Sequence, residues 1–133
     1  MSRENVELIE RSFAEWDLNG EPPWHLLHPD VVVADHDILD AGDYRGIAGV
    51  RRWLEDWSAA WSDFTMEPEE FIDAGEHVVA VLRMKATGRG SSVSVERQDA
   101  IVYAVADGKI ARLDYFNNRA QAFAAAGLAD DTE

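Results

Sequence analysis

The sequence predicts an α+β fold, with helices lying on one face of a curved antiparallel sheet. Three observations predict it. Val6, Ile9, Phe13 and Trp16 follow one another at steps of three, four and three, a helical stripe. Ile47, Val50, Leu54, Trp57 and Trp61 repeat the pattern, with Trp53, Trp57 and Trp61 four residues apart. From residue 64 onward, β-branched runs alternate with glycine turns. Helices followed by a run of strands make an α+β arrangement, and a cavity between helices and concave sheet is its natural ligand site.

Each element has its local reason. Ser2 reads as the N-cap of the first helix, which Asn19-Gly20 stops. Pro22-Pro23 opens a short second helix over residues 24–27, because proline is tolerated in a first turn. His28-Pro29-Asp30 ends it, and residues 31–36 read as a strand. Residues 41–46 read as a loop, and residues 47–61 as the third helix. Strands follow over residues 64–73, 77–87, 93–105 and 109–117, the last two joined by Asp107-Gly108, a hairpin signal. Residues 119–126 form a closing helix with Gly127 as its cap.

Composition bounds the function. A 133-residue chain with 47% hydrophobic residues is one domain with a sizeable core. There is no cysteine, which excludes disulfides, thiol nucleophiles and thiolate metal sites and fits a reducing cytoplasm. Asp and Glu number 26 against 12 Lys and Arg, a net charge of −14. Nucleic acid and anionic membranes are therefore poor partners. The first residues are polar and acidic, unlike a leader peptide, and no apolar run approaches a membrane span. No phosphate loop, dinucleotide fingerprint or nucleophilic serine motif is present.

Candidate site residues come from the aromatic stripe and the acidic stretch Asp35-His36-Asp37. Trp16, Trp57 and Trp61 would line an apolar pocket or simply fill the core; Trp53, off the stripe's centre, would sit at a rim or a subunit contact. Asp35 is either an acid/base beside that pocket or an exposed carboxylate at a strand end. His36 should point away from it, since strand neighbours face opposite sides. A metal site built from Asp35, His36 and Asp37 is the weaker alternative; His25, His28 and His77 lack ligand spacing, and no metal or cofactor is expected. Arg97, Asp99, Ile101 and Tyr103 share one strand face. Tyr103 would donate to a ligand oxygen or bond to backbone.

Four motifs carry a resemblance over about residues 5–128. They are Leu27-His28-Pro29-Asp30-Val31, Tyr44-Arg45-Gly46 with Gly49-Val50, Asp107-Gly108-Lys109-Ile110, and Asp114-Tyr115-Phe116-Asn117. In this order they resemble the SnoaL-like branch of the nuclear transport factor 2-like superfamily, relatives of ketosteroid isomerases and polyketide cyclases. The resemblance implies a cone-shaped barrel of curved sheet wrapped around helices. It places Asp35 at the general-base position of the isomerases. It places Phe13 and Ile101 where their two oxyanion donors stand, and neither can donate a hydrogen bond. It turns the face of Asp99, Ile101 and Tyr103 toward the pocket, with Arg97 and Asp99 at its mouth, and lets Tyr115 and Asn117 line it from the last strand. The expected function is cofactor-free cyclase, isomerase or lyase chemistry on a small apolar carbonyl compound. The alternative is a non-catalytic ligand-binding or association domain. A homodimer is expected, because the convex face with Val79 and Val81 needs cover and because dimers are common in the resembling family.

Overall fold

The computed structural model describes residues 2–36, 42–91 and 93–128. The chain runs α1 (Ser2–Asn19), a 3-10 turn (Trp24–Leu26), β1 (Leu27–Asp35), β2 (Asp43–Arg45), α2 (Gly46–Ala60), β3 (Trp61–Ala74), β4 (His77–Gly88), β5 (Ser94–Ala106), β6 (Lys109–Phe116) and α3 (Arg119–Ala125). The strands form one curved sheet in the order β2-β1-β6-β5-β4-β3. Strands β3 to β6 are an antiparallel meander, whereas β1 runs parallel to β6. The ends β2 and β3 do not pair with each other, so the expected barrel stays open.

The stops are those the residues dictate. Gly20, at φ 74°, takes the left-handed conformation that ends α1, and its N–H donates to the Trp16 carbonyl at 2.8 Å. Asp107 and Gly108, at φ 56° and 73°, make the tight hairpin turn between β5 and β6. The Asn118 side chain caps α3 at its start by accepting from the Gln121 N–H. At its end, Leu128 N–H reaches the Phe123 carbonyl past a left-handed Gly127.

Several boundaries differ from the expectation. Helix α1 already includes Ser2. Strand β1 begins at Leu27, and His28-Pro29-Asp30 lies inside it as an irregularity where the register on β6 shifts between Leu27 and Val32. The expected loop contains β2, a three-residue strand whose single buried residue, Tyr44, shows no alternation. Gly49 brings α2 against that strand: a Cβ there would stand 2.8 Å from the Tyr44 carbonyl carbon. Trp61 opens β3 and does not close α2, whose last carbonyls are met by Arg89. The Arg89 backbone N–H donates to Ala60 O at 3.0 Å and its guanidinium to Ser58 O at 2.9 Å. Pro68 sits in β3, an edge strand, where a missing N–H donor is tolerated.

The strands have two different faces. Val78, Ala80, Leu82 and Met84 of β4 join a core with Ile9 of α1 and Trp53 and Trp57 of α2. Val79 and Val81 point the other way, into a second cluster with Ala100, Val102, Phe116, Ala122 and Phe123. Helix α3 therefore covers the convex face, and the helices are not all on one side. Val79 and Val81, expected to need a partner's cover, are fully buried by the chain's own α3. The case for a homodimer is left with the resemblance alone.

Candidate functional site

A cavity of about 750 Å³ lies between the concave sheet face and helices α1 and α2. Phe13 and Trp16 reach it from α1, Trp53 and Trp57 from α2, and Ile101 and Tyr103 from β5. Helical spacing stacks each helix's pair on one face, and the two-residue period of β5 turns Ile101 and Tyr103 the same way. Phe13 packs edge-on against Tyr103, with ring centroids 6.4 Å apart.

The two indoles of α2 carry the central interaction of the site. Trp53 Nε1 donates to Asp35 Oδ2 at 2.7 Å and Trp57 Nε1 to the same oxygen at 2.8 Å. Asp35, at the end of β1, is 5% exposed. A buried carboxylate needs donors of this kind, and four-residue spacing supplies two of them one helical turn apart. The indoles line the cavity and the carboxylate does not. Trp53, expected at a rim, is thus buried and bonded to Asp35. Its position one turn before Trp57, downstream of an acidic strand end, was the available signal.

A second buried carboxylate braces the same wall. Tyr115 donates its hydroxyl to Asp99 Oδ2, while Arg97 Nε donates to Asp99 Oδ1 at 2.8 Å. The Tyr115 ring meets Trp57 and Trp53 edge-on, at centroid distances of 5.3 and 6.1 Å. Burial, and then the Asp99 charge, push the Tyr115 phenol up, so it remains a donor. Asp99 is wholly buried rather than at the mouth, and neither it nor Tyr115 lines the cavity.

Tyr103 is different. It lines the cavity, burial pushes its phenol up, and its hydroxyl has no hydrogen-bond partner among the described residues. It therefore offers a protonated donor to whatever the cavity holds.

The remaining candidates fall outside the wall. Trp61 is half-buried at the start of β3, with its ring 6.4 Å from that of Trp57. Asn117 is exposed beyond the end of β6. His36 faces away from Asp35, stacked on Phe116 at 4.4 Å with Nε2 3.0 Å from Asp114 Oδ1. Asp37 lies outside the described residues, among which no group of three His, Asp or Glu could hold a metal. The wall also includes Leu54, Phe64, Met66 and Phe71, which sequence reasoning did not single out. Those on β3 hide in a mostly exposed edge strand with a register shift near Pro68.

A family profile of the SnoaL-like domain matches residues 9–113, most of the chain, and the protein belongs to that family. Solved structures agree on the fold. A SnoaL-like polyketide cyclase, so described only provisionally, from Jannaschia sp. superposes with a TM-score of 0.72 at 18% identity, covering 96% of this chain and 94% of its own. A nuclear transport factor 2-like protein from Burkholderia thailandensis gives 0.70 at 26% identity, covering 89% and 95%. One of unknown function from Burkholderia pseudomallei gives 0.71 at 20%, covering 91% and 95%. A search of curated proteins finds no sequence match.

Proposed function

We propose that the protein is a small-molecule enzyme of the cyclase, isomerase or lyase type. It holds an apolar carbonyl compound in the cavity and moves a proton on it without a cofactor. The observation that carries this reading is a buried carboxylate, Asp35, bonded to two indoles that line a formed apolar cavity. Asp35 is the acid/base, oriented by Trp53 and Trp57. Removing a proton beside a carbonyl puts negative charge on the carbonyl oxygen, and the Tyr103 hydroxyl is the donor that would meet it. The apolar wall excludes water and strengthens both interactions.

A specific observation favours a second reading, a binding domain without catalysis. Both indole donors converge on one Asp35 oxygen, and the carboxylate is not in the cavity wall. On that reading Asp35 only anchors α2 to β1.

The two separate in heavy water. Native mass spectrometry first identifies small molecules bound to the purified protein. Proton NMR then follows deuterium exchange beside the carbonyl of a bound ketone. Catalysis predicts exchange that Asp35→Asn abolishes while the ligand still binds. A ligand that binds wild type without any accelerated exchange supports the anchor.

A further inference from the structure

We infer that the cavity's ligand is a lipophilic organic cation, a hydrocarbon body carrying a protonated or quaternary amine. This rests on the reading above that the cavity binds a small molecule, and it adds a charged amine to the otherwise apolar carbonyl compound proposed there. The charged residues of the cavity lining are Glu10, Asp17 and Glu67, all carboxylates at exposed positions. Among the described residues, no Lys, Arg or His lines it. The interior walls join aliphatic side chains such as Val33 and Leu113 to seven rings, those of Phe13, Trp16, Trp53, Trp57, Phe64, Phe71 and Tyr103. Aromatic faces are electron-rich and attract a cation that has shed part of its water. The same faces repel an anion.

The neighbouring surface repeats the pattern. A cleft of about 540 Å³ shares Trp16, Leu54 and Phe64 with the cavity wall, and adds Glu21, Glu55 and Arg51. The Arg51 guanidinium lies 4.4 Å from the centre of the Trp24 ring, and Trp24 Nε1 donates to Glu21 at 2.9 Å. That arrangement already shows an indole of this cleft holding a cation. Five carboxylates and one guanidinium thus border the two spaces. The chain's net charge of −14 adds a field of the same sign. Exposed rim charges are screened by salt, so they attract and orient the ligand while the ring-lined interior discriminates. The amine would lie toward the rim, leaving an oxygen on the same ligand free to meet Tyr103.

The test uses three probes of one shape: phenylpropylamine, phenylpropanol and phenylpropanoate. Each is titrated into the full chain at neutral pH and low salt, read by tryptophan fluorescence and calorimetry. The protonated amine is expected to bind at least about tenfold tighter than the carboxylate, and tighter than the alcohol. Added salt should narrow the gap. The Asp17→Asn/Glu67→Gln variant, its fold checked by circular dichroism, should lose about threefold in amine affinity and keep its alcohol affinity. Alcohol or carboxylate binding as tightly as amine overturns the inference and leaves the cavity reading standing. If none of the three binds, the cavity reading falls and takes the inference with it.

Discussion

The two faces of the sheet are built from alternate residues of the same strands, yet one encloses a cavity and the other is solid. On the convex face, Val79, Val81, Ala100 and Val102 are small, and Ala122 and Phe123 of α3 close directly onto them. On the concave face the side chains are large, yet about 750 Å³ stays open. On the α2 wall, the difference includes polar anchors. Asp35 fixes two indoles and Asp99 fixes Tyr115, and these rings brace one another edge-on. Rings tied to buried carboxylates cannot rotate inward to fill space without abandoning hydrogen bonds. Close packing is what an apolar face reaches by default; a cavity persists where hydrogen bonds hold its walls apart.

The largest expected effect breaks an anchor. Asp35→Leu leaves two buried indole N–H groups without an acceptor, at about 1–3 kcal/mol each, and should lower stability by about 2–6 kcal/mol. Urea unfolding measures it; a loss below about 1 kcal/mol would show that the anchors do not hold the wall.

Truncation of a ring compares the faces directly. Phe123→Ala removes the centre of the solid cluster and should cost about 3–5 kcal/mol. Phe71→Ala only widens an existing space and should cost about 1–2 kcal/mol, the lost transfer energy of a half-buried ring. Equal losses would remove the distinction.

Enlargement should act in the opposite sense. Val102→Phe has no room on the solid face and should destabilise by about 1–3 kcal/mol. Val33→Phe enters the cavity and should cost less than about 1 kcal/mol while blocking ligand. Thermal melts with and without ligand read both.

The smallest effect concerns the outer cluster beside the solid face. Burial pushes the Asp114 carboxyl up, but hydrogen bonds from Arg112 and His36 outweigh it and hold it below its ordinary value of 3.8. The folded state therefore favours the charged form. That stabilisation is present above pH 3.8 and is lost as pH falls through the lowered folded value. Asp114→Asn should cost no more than about 1 kcal/mol at neutral pH, because the cluster is partly solvated. The difference from wild type should vanish in acid; melts across the acid range check it.

Much of this was legible along the chain. The stripe of Val6, Ile9, Phe13 and Trp16 marks α1, and Asp107-Gly108 marks its hairpin, because helix, strand and turn preferences act over a few residues. The shared face of Asp99, Ile101 and Tyr103 follows from the strand period. Strand β2 was not legible, since three residues cannot display a period. The role of Trp53 was hidden for another reason. A helical wheel ranks it by angle from the apolar stripe, and the acceptor that draws it inward is 18 residues away.

By itself the sequence determined the order of the elements other than β2, which residues of β4 and β5 face together, and the SnoaL-like family through local motifs. These follow from backbone periodicity and turn chemistry, which are properties of short segments. Only the tertiary structure decided that α3 covers the convex face, that the sheet stays open, and that Asp35 anchors two indoles while Asp99 holds Tyr115 and Arg97. Those outcomes depend on side chains that meet from different elements. They are settled by competition between filling space and satisfying buried polar groups, which has no expression in any single segment.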